Sequence, residues 1–504
     1  MKTNDMRTFR YKSYLKLCVA LALCTAYTSC SMEEDLYSSI TVETFYKTAS
    51  DAEKALVSVY GVMGGLYGGP AATLVPDFSA DQVYPRAVVG RNSLTLFTLE
   101  PTYTAQISQG RVNESPQQIW VSCYKGIEQA NWVLAKVPEV NMDEARKKQI
   151  LGEAHFLRAF YHWMLNKNFG EIPVKTTPST KQEEAYTPKS PVKDVYTQIY
   201  NDLDTAYEAG LPSYPSVEAG RPSREAVNAL YAKAALYNED WATALEKAES
   251  VLSAGMYALV DTEVELFDYT KEDANRKEVI WAYEADPISP GNGHQLVGLC
   301  GPTGSAAPAY AVTSYGSMFA YMDFFDSFDP KDGRRQLLDT TYVNKQGKTV
   351  PQAKITPITT DGVLIKKYQD PESRTGTIRN IPILRLADIY LIAAEAEARL
   401  HGATDKAYGL VNAIRHRAGL GNLSTGLNKE AFIDAVIQER AWEFFAEGDR
   451  WYDLTRTGKY LTVIPQATNS VYPTRNVQAK YRYFPIPQDE VNANNLLDQN
   501  PDWD

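Results

Sequence analysis

The segment from Arg385 to Gly419 has the most regular hydrophobic pattern in the chain, and it predicts two consecutive helices. In its first half, apolar residues recur three or four positions apart, as one face of an α-helix requires; they are Leu386, Ile389, Tyr390, Ala393 and Leu400. The other side of this helix is apolar too, so we expect it to be buried on most of its circumference. Gly402 interrupts the pattern, and Thr404 or Asp405 can cap a second helix. Gly419 is placed to end that second helix in a left-handed turn.

Three other parts of the chain repeat this plan. A single helical hairpin cannot bury both of its faces, so we expect the four hairpins to stack on one another. The predicted helix pairs are Asp51–Gly64 with Gln117–Val137, Asp143–Phe169 with Val192–Ala209, and the two halves of Arg224–Gly255. In the last of these, Ala232, Ala244 and Val251 stand at the 12- and 7-residue intervals of a tetratricopeptide repeat. Helix-rich sequences also match so loose a pattern by chance. The prediction is nevertheless a mainly α fold in which four tetratricopeptide-like helical hairpins form a scaffold.

Two long stretches lack helical periodicity. Residues 64–115 contain Gly-Gly and Gly-Gly-Pro sequences and predict an irregular excursion. Residues 256–381, between the third and fourth hairpins, are rich in Gly, Pro, Ser and Asp and predict an inserted, irregular, loop-rich subdomain. Within this subdomain, Glu278–Tyr283 and Val363–Lys367 predict short strands, and Phe319–Phe328 predicts a helix.

The predicted organisation has four parts. Residues 1–29 form a signal peptide, and residues 30–255 form an N-terminal region with the first three hairpins. The loop-rich subdomain occupies residues 256–381. Residues 382–504 hold the fourth hairpin and a closing helix over Lys429–Leu454.

The N-terminus carries a secretory signal. Basic residues precede the apolar run Leu17–Ala26, which is too short to span a bilayer and suits a signal peptide. Small residues and then Cys30 follow, a pattern that resembles a bacterial lipoprotein cleavage box and predicts Cys30 as the acylated first residue. Tyr27 departs from the usual aliphatic residue of that box, and the alternative is an ordinary signal with an incidental cysteine. The acidic run 33–35 resembles a surface-export signal of Bacteroides lipoproteins, and a solvated tail would look the same.

Charge and cysteine content exclude several classes of protein. Removal of residues 1–29 takes five basic residues and one acidic residue from totals of 51 and 62, so the mature net charge is near −15. Such a chain is unsuited to nucleic acid or anionic lipid headgroups. No later run is long and apolar enough to cross a membrane, so a lipid anchor would be its only membrane attachment. The mature chain keeps Cys123 and Cys300, and buried free thiols are favoured over a disulfide between them.

Several motifs in order along the chain resemble those of the SusD/RagB family of Bacteroidetes outer-membrane lipoproteins. They are Cys30, Thr44–Asp51, Gly152–Phe160, Phe169–Pro173, Ser223–Leu236, Asp240-Trp241, Ile381–Glu397, Asn412–Arg415, Glu439–Arg456, Pro485–Gln488 and Gln499–Pro501. Each motif alone is weak, but together and in this order they are specific, and they cover nearly the whole mature chain.

The resemblance implies a fold and a role. The fold would be a bundle of four tetratricopeptide-type hairpins that supports a variable loop region. The role would be to bind a glycan or other nutrient on the outer membrane, facing the cell exterior, and to pass it to a partner SusC-like TonB-dependent transporter. The alternative hypothesis is a transporter lid, adaptor or peptide-binding member with no glycan affinity of its own, and a third is a surface glycosidase.

One group of carboxylates could support catalysis. Glu439, Glu443 and Glu447 share one helix face, and a carboxylate pair can hydrolyse glycosides when one acid has a raised pKa. Arg440 and Arg450 lie nearby and would hold these carboxylates ionised, which favours a structural ion-pair network. No nucleophile elbow or P-loop occurs in the sequence. We therefore predict no catalytic residues and no cofactor.

Two other groups could bind a metal ion, but their spacing is wrong. His155 and His162 are seven residues apart, not the four that a helical metal pair prefers, so core histidines are favoured. Asp326, Asp329 and Asp332 lack the alternate spacing of an EF-hand loop, so a turn is favoured over a calcium site. The sequence therefore predicts no metal site.

Two irregular stretches, Tyr67–Tyr103 and Asp286–Phe328, supply the residue types that bind sugars. Aromatic faces pack against pyranose C–H groups, and amide, carboxylate or guanidinium groups bond the hydroxyls. The candidate ligand-binding residues are Asp77, Asp81, Tyr84, Arg86, Arg91 and Asn92 in the first stretch, and Asn292, Tyr310, Tyr315 and Tyr321 in the second. Packing is the competing role for each aromatic residue. All eight tryptophans lie outside both stretches, whereas starch-binding members of the family use a Trp-rich arc, which puts starch in doubt.

Overall fold

The computed structural model describes residues 45–69, 71–88, 90–104, 114–285, 293–302, 310, 314–351, 362–372 and 379–503. Residues from Lys47 onward belong to one unit. In the part of the chain that the structure describes, nine helices form the scaffold: α1 (Ala49–Gly61), α2 (Pro116–Lys136), α3 (Glu144–Phe169), α4 (Val192–Tyr207), α5 (Arg224–Tyr237), α6 (Trp241–Ala254), α7 (Leu386–His401), α8 (Asp405–Arg417) and α9 (Lys429–Glu443). The mainly α fold class predicted from the sequence is confirmed.

The predicted helix pairs are the pairs that pack together. Helix α1 packs on α2, α3 on α4, α5 on α6, and α7 on α8. Further contacts of α2 with α3, of α4 with α5, of α6 with α7, and of α7 with α9 join the hairpins into one stack. Helix α7 is buried along most of its length, as its apolar pattern predicts.

Local sequence signals begin and end the scaffold helices. At the start of α1, Thr48 Oγ1 accepts a hydrogen bond from the Asp51 amide, and the Asp51 carboxylate accepts one from the Thr48 amide, which forms a capping box. Thr404 caps α8 through the amide of Ala407. Beyond α8, Gly419 has a φ of 80°, the left-handed turn predicted there.

A glycine permits the close crossing of α3 and the end of α4. A Cβ atom at Gly152 would lie 2.2 Å from the Cβ of Ala209, well inside van der Waals contact. No larger residue fits without separating the two helices, because the helix backbones hold both positions.

Shorter elements connect the scaffold helices. The helical ones are Ala71–Ser79, Arg91–Leu96, Gln182–Ala185, Glu263–Leu266, Glu272–Asn275, Leu296–Cys300, Met322–Asp326, Arg450–Arg456 (α10), Tyr460–Val463 and Gln488–Ala493. Single turns of 3₁₀-helix occupy Val137–Glu139, Gly333–Leu337, Ile464–Gln466 and Ala479–Arg482, and a π-helical turn occupies Gly64–Gly68.

Within the described residues, eight short strands pair two by two in antiparallel fashion. They are β1 (Val83–Pro85), β2 (Val279–Tyr283), β3 (Met318–Ala320), β4 (Leu338–Asp339), β5 (Thr341–Val343), β6 (Thr349–Pro351), β7 (Leu364–Ile365) and β8 (Ile381–Arg385). The pairs are β1 with β3, β2 with β8, β4 with β7, and β5 with β6. The two predicted strands are confirmed as β2 and β7. The helix predicted over Phe319–Phe328 is wrong in its first part, because backbone pairing with β1 makes that part a strand.

The prediction of an irregular excursion over residues 64–115 is wrong for part of its length. Residues Ala71–Ser79 form a helix although Pro76 lies inside it, and every residue of this helix is buried. It packs against α10 from the far end of the chain. Tertiary packing therefore outweighs the local effect of proline, which removes one helical hydrogen bond.

The single closing helix predicted over Lys429–Leu454 is also wrong. It is divided into α9 and α10, with Ala446 and Gly448 between them at φ values of 60° and 86°. The Gly448 amide donates a 3.1 Å hydrogen bond to Asp77 on the Ala71–Ser79 helix. In a continuous helix the Gly448 amide would donate to a carbonyl of the preceding turn, but here it donates to Asp77 instead. The left-handed backbone at Ala446 and Gly448 then changes the direction of the chain.

Two further expectations concern cysteines and membrane spans. Cys123 and Cys300 are free and buried, as predicted. Among the described residues, no helix combines the length and apolarity that a membrane crossing requires. Cys30 and the signal peptide lie outside the described residues.

Candidate functional site

The two stretches predicted to bind ligand are brought together by the β1–β3 pair. Tyr84 of the first stretch lies opposite Phe319 of the second, and Pro85 lies opposite Met318. The pairing continues beyond the strand, because the Arg86 amide donates a 3.0 Å hydrogen bond to the carbonyl of Ser317. Residues from distant parts of the chain thus form one surface.

A buried cluster of aromatic rings lies beneath that surface. The ring of Tyr84 lies 4.8 Å from Tyr321, 5.9 Å from Phe319 and 6.0 Å from Tyr472, measured between centroids. The hydroxyl of Tyr472 donates to the carbonyl of Pro85 at 3.0 Å. Tyr84 and Tyr321 are fully buried, so both rings support the surface from below.

Arg86 and Tyr315 reach solvent on this surface. Arg86 Nη1 donates to the Tyr315 carbonyl at 3.4 Å, and the Tyr315 amide donates to the Gly298 carbonyl at 2.7 Å. The backbone of Tyr315 is therefore fixed, while its side chain is 45% exposed. Asn92, in the short helix Arg91–Leu96, is half-buried. We call Arg86, Asn92 and Tyr315 the loop face.

Three predicted site residues are bound internally. Asp77 is fully buried and accepts the Gly448 amide; burial raises its pKa. Asp81 accepts two hydrogen bonds of 2.8 Å from Arg450. Burial alone would raise the pKa of Asp81, but the Arg450 guanidinium lowers it. Arg91 forms a fork with Glu114, at 2.5 and 2.7 Å.

The remaining predicted residues lie elsewhere. Tyr310 is buried, and its carbonyl accepts a 2.8 Å hydrogen bond from the amide of Asp370. Asn292 lies outside the described residues. Among the described candidates, the three residues of the loop face are at least partly open to solvent; Asp81 is also half-buried, but Arg450 binds its carboxylate.

Arg475 is a supporting residue that the sequence reasoning missed. Its guanidinium is buried and donates to the carbonyls of Ser79, Ala80 and Thr95, at 2.8 to 3.0 Å. These carbonyls lie at the C-terminal ends of two short helices, Ala71–Ser79 and Arg91–Leu96, where a cation is favourable. No local signal marks Arg475, because its partners lie 380 to 396 residues away.

The carboxylates considered for catalysis belong to a buried ion-pair network. Glu443 Oε1 lies 2.9 Å from Arg385 Nη1, and Glu443 also pairs with Arg417 and Arg334. Burial alone would raise the pKa of Glu443, but these three guanidinium groups outweigh burial and hold it well below its usual range. A carboxylate held ionised in this way is a poor general acid.

The histidines and aspartates considered for metal binding have protein partners. His155 Nδ1 lies 2.6 Å from Asp202, and His162 Nδ1 lies 3.1 Å from the carbonyl of Arg158. Asp332 bonds the Arg334 amide at the start of a 3₁₀ turn, and its carboxylate pairs with the Arg334 guanidinium at 2.7 Å. These contacts account for each group as part of the fold.

Comparison with known families gives two matches that together cover most of the chain. The family described as "SusD family" matches residues 338–503. The family described as "Starch-binding associating with outer membrane" matches residues 37–236.

Individual relatives cover nearly the full length. A SusD-like protein, P25, of Formosa agariphila is 26% identical over 92% of this chain and 94% of its own length. The starch-binding protein SusD of Bacteroides thetaiotaomicron is 26% identical over 78% of this chain and 80% of its own. The solved structure of a laminarin binding SusD-like protein has a TM-score of 0.76 and 26% identity, and covers 91% of this chain and 100% of that one.

Proposed function

Because the chain belongs to the SusD/RagB family, we propose that it is a glycan-binding protein of the outer membrane. Relatives described as starch-binding and laminarin binding support this proposal. The observation that carries it is the exposed ring of Tyr315 beside Arg86, on a face built from both predicted binding stretches. A flat aromatic ring can pack against the C–H face of a pyranose, and a guanidinium can donate to its hydroxyl oxygens.

In this proposal the protein captures an oligosaccharide outside the cell and delivers it to a SusC-like TonB-dependent transporter. An acyl group on Cys30 holds it at the outer membrane, facing the exterior. The apolar run Leu17–Ala26 and the small residues before Cys30 support the anchor. A mature net charge near −15 favours a lipid tether over adhesion to anionic headgroups.

Binding without catalysis is part of the proposal. The carboxylates that could act in glycoside hydrolysis are buried among arginines, and Glu443 has a lowered pKa. A glycosidase needs one carboxyl group that stays protonated near neutral pH and a second one within reach of the same bond. The loop face offers neither arrangement, since its own side chains are Arg, Asn and Tyr.

Affinity electrophoresis against host and plant polysaccharides, followed by calorimetry with matching oligosaccharides, tests the proposal. We expect at least one polysaccharide to retard the protein, and Tyr315→Ala and Arg86→Ala to weaken its binding about tenfold each. Tyr186→Ala is the matched control, because Tyr186 is half-buried in the connector between α3 and α4, outside the loop face.

Two results would contradict the proposal. A protein that no polysaccharide retards would favour the lid or adaptor role, with no glycan affinity of its own. Release of reducing sugar from a polysaccharide by the purified protein would contradict binding without catalysis.

A further inference from the structure

A second concave site lies apart from the loop face. This cleft is lined by three parts of the chain: residues 214–221 between α4 and α5, residues 257–284, and residues 367–369 together with 379–382. None of the loop-face residues lines it.

Fixed aromatic rings form the walls of the cleft. Trp281 Nε1 donates to the carbonyl of Gly220 at 3.0 Å, and Phe156 and Phe160 contact the Trp281 ring edge-on from the core side. Tyr214 and Tyr257 stack at 4.8 Å. Because each ring is held by its neighbours, a ligand would lose little free energy in ordering them.

Asn380 and Gly220 hold the carboxylate of Glu284 in place in the cleft. Asn380 Nδ2 donates to Glu284 Oε2 at 2.6 Å, while Asn380 Oδ1 accepts the Ala285 amide at 2.9 Å. Gly220 lies against Glu284 so closely that a Cβ there would be 2.8 Å from the Glu284 Cγ. With a φ of 78°, Gly220 also has a backbone that disfavours any larger residue.

Two polar groups of the cleft keep unused hydrogen-bonding capacity. Within the described part of the chain, the Arg276 guanidinium makes no hydrogen bond or ion pair, and Glu284 Oε1 accepts no hydrogen bond. Both side chains line the same cleft, where burial raises the pKa of Glu284 and the charge of Arg276 opposes that rise. The cleft therefore offers a donor fork and an acceptor to one ligand.

The charges of the cleft cancel. Its lining includes four acidic side chains, Glu218, Asp268, Glu272 and Glu284, and four basic ones, Arg221, Arg276, Lys367 and Arg379. Most are already paired, as in the 2.8 Å contact of Arg221 with Glu218. A charged ligand would thus gain little from the local field, and an uncharged ligand with many hydroxyl groups fits better.

We propose that this cleft is a second carbohydrate site, which holds one or two rings of a neutral sugar. Two adjacent hydroxyl groups donate to Glu284 Oε1 and accept from Arg276, while aromatic walls contact the C–H faces of the ring. A peptide terminus would instead require an excess of one charge. The site goes beyond the proposed function, since it shares no residue with the loop face.

The test uses fluorine NMR of the full mature chain labelled with 5-fluorotryptophan, because Trp281 lines the cleft. Trp281→Phe assigns the Trp281 signal. The probes are methyl glycosides of glucose, galactose, mannose and xylose and the disaccharides laminaribiose, maltose and cellobiose. We expect at least one of them to shift the Trp281 signal in a saturable way at millimolar concentration.

Variants locate the effect. Arg276→Ala and Glu284→Gln should each weaken that sugar about tenfold, whereas Lys277→Ala beside the cleft should leave its affinity unchanged. The proposal is overturned if no neutral probe shifts the signal, or if the cleft variants bind like wild type. It is also overturned if only galacturonic acid or a short peptide shifts the signal.

Discussion

Arg385 Nη1 donates a 2.9 Å hydrogen bond to Glu443 Oε1, and both side chains are withdrawn from water. Arg385 is the last residue of β8 and Glu443 is the last residue of α9. The same arginine also donates to Glu278 and Glu447. This one side chain therefore joins the end of β8 to the start of β2, through Glu278, and to the C-terminal end of α9, through Glu443.

Arg385→Met should lower the free energy of unfolding by about 3–5 kcal/mol, because it leaves carboxylates buried without their partner. Urea unfolding followed by circular dichroism measures the change. The control is Asp434→Asn, which breaks the exposed pair of Asp434 with Lys459 and should cost at most about 1 kcal/mol. A loss for Arg385→Met as small as that of the control would show that the network contributes little to stability.

Glu395 should make the protein sensitive to acid. It lies in α7 and bonds Arg456 of α10 at 2.7 and 2.8 Å. Burial alone would raise its pKa, but the Arg456 guanidinium outweighs burial and lowers the pKa from 4.5 to about 2. Since the pKa is lower in the folded state, the stabilisation by Glu395 is fully present above pH 4.5 and is lost as the pH falls towards 2.

The measurement compares the wild type with Glu395→Gln by urea unfolding at several pH values. The wild type should be the more stable at neutral pH, and the difference should shrink as the pH falls between 4.5 and 2. Glu246→Gln, at an exposed position, serves as the control and should show no such trend. A difference for Glu395→Gln that stays constant through this range would contradict the assignment.

Gly152→Ala should destabilise the protein by about 1–3 kcal/mol, because the new methyl group would meet Ala209 where α3 crosses the end of α4. Gly409→Ala is a matched control within helix α8. No atom lies within 4 Å of a Cβ placed there, so this change should stabilise the protein by about 0.5–1 kcal/mol. Thermal or urea unfolding of both variants measures the two effects, and the same sign for both would refute the explanation.

The scaffold was predictable from sequence because its signals are local. A 3.6-residue apolar period, a cap such as Thr404 and a turn such as Gly419 each lie within one or two helical turns. The errors arose where distant residues decide the backbone. The Ala71–Ser79 helix forms despite Pro76, and the turn at Gly448 depends on a bond to Asp77, 371 residues away.

The sequence indicated which stretches form the candidate site, but it did not indicate which of their side chains are exposed to solvent. The two binding stretches were found from their composition, and the β1–β3 pair brings them together. Tyr84 and Tyr315 look alike in sequence, but Tyr472 from the C-terminal region covers the first and leaves the second exposed. The cleft was missed for the same reason, because Glu284 and its partner Asn380 are 96 residues apart.

The pairing of β2 with β8 has a consequence for how such a protein can diversify. Tyr283, the last residue of β2, lies opposite Ile381, the first residue of β8. The two ends of the segment between these strands are therefore close together. The segment between these two residues is also bound elsewhere, because β3 pairs with β1 and Arg334 pairs with Glu443 of α9. A chimera that swaps residues 284–380 for the equivalent piece of another member must therefore match the five-residue strands at the junction and also keep these two contacts.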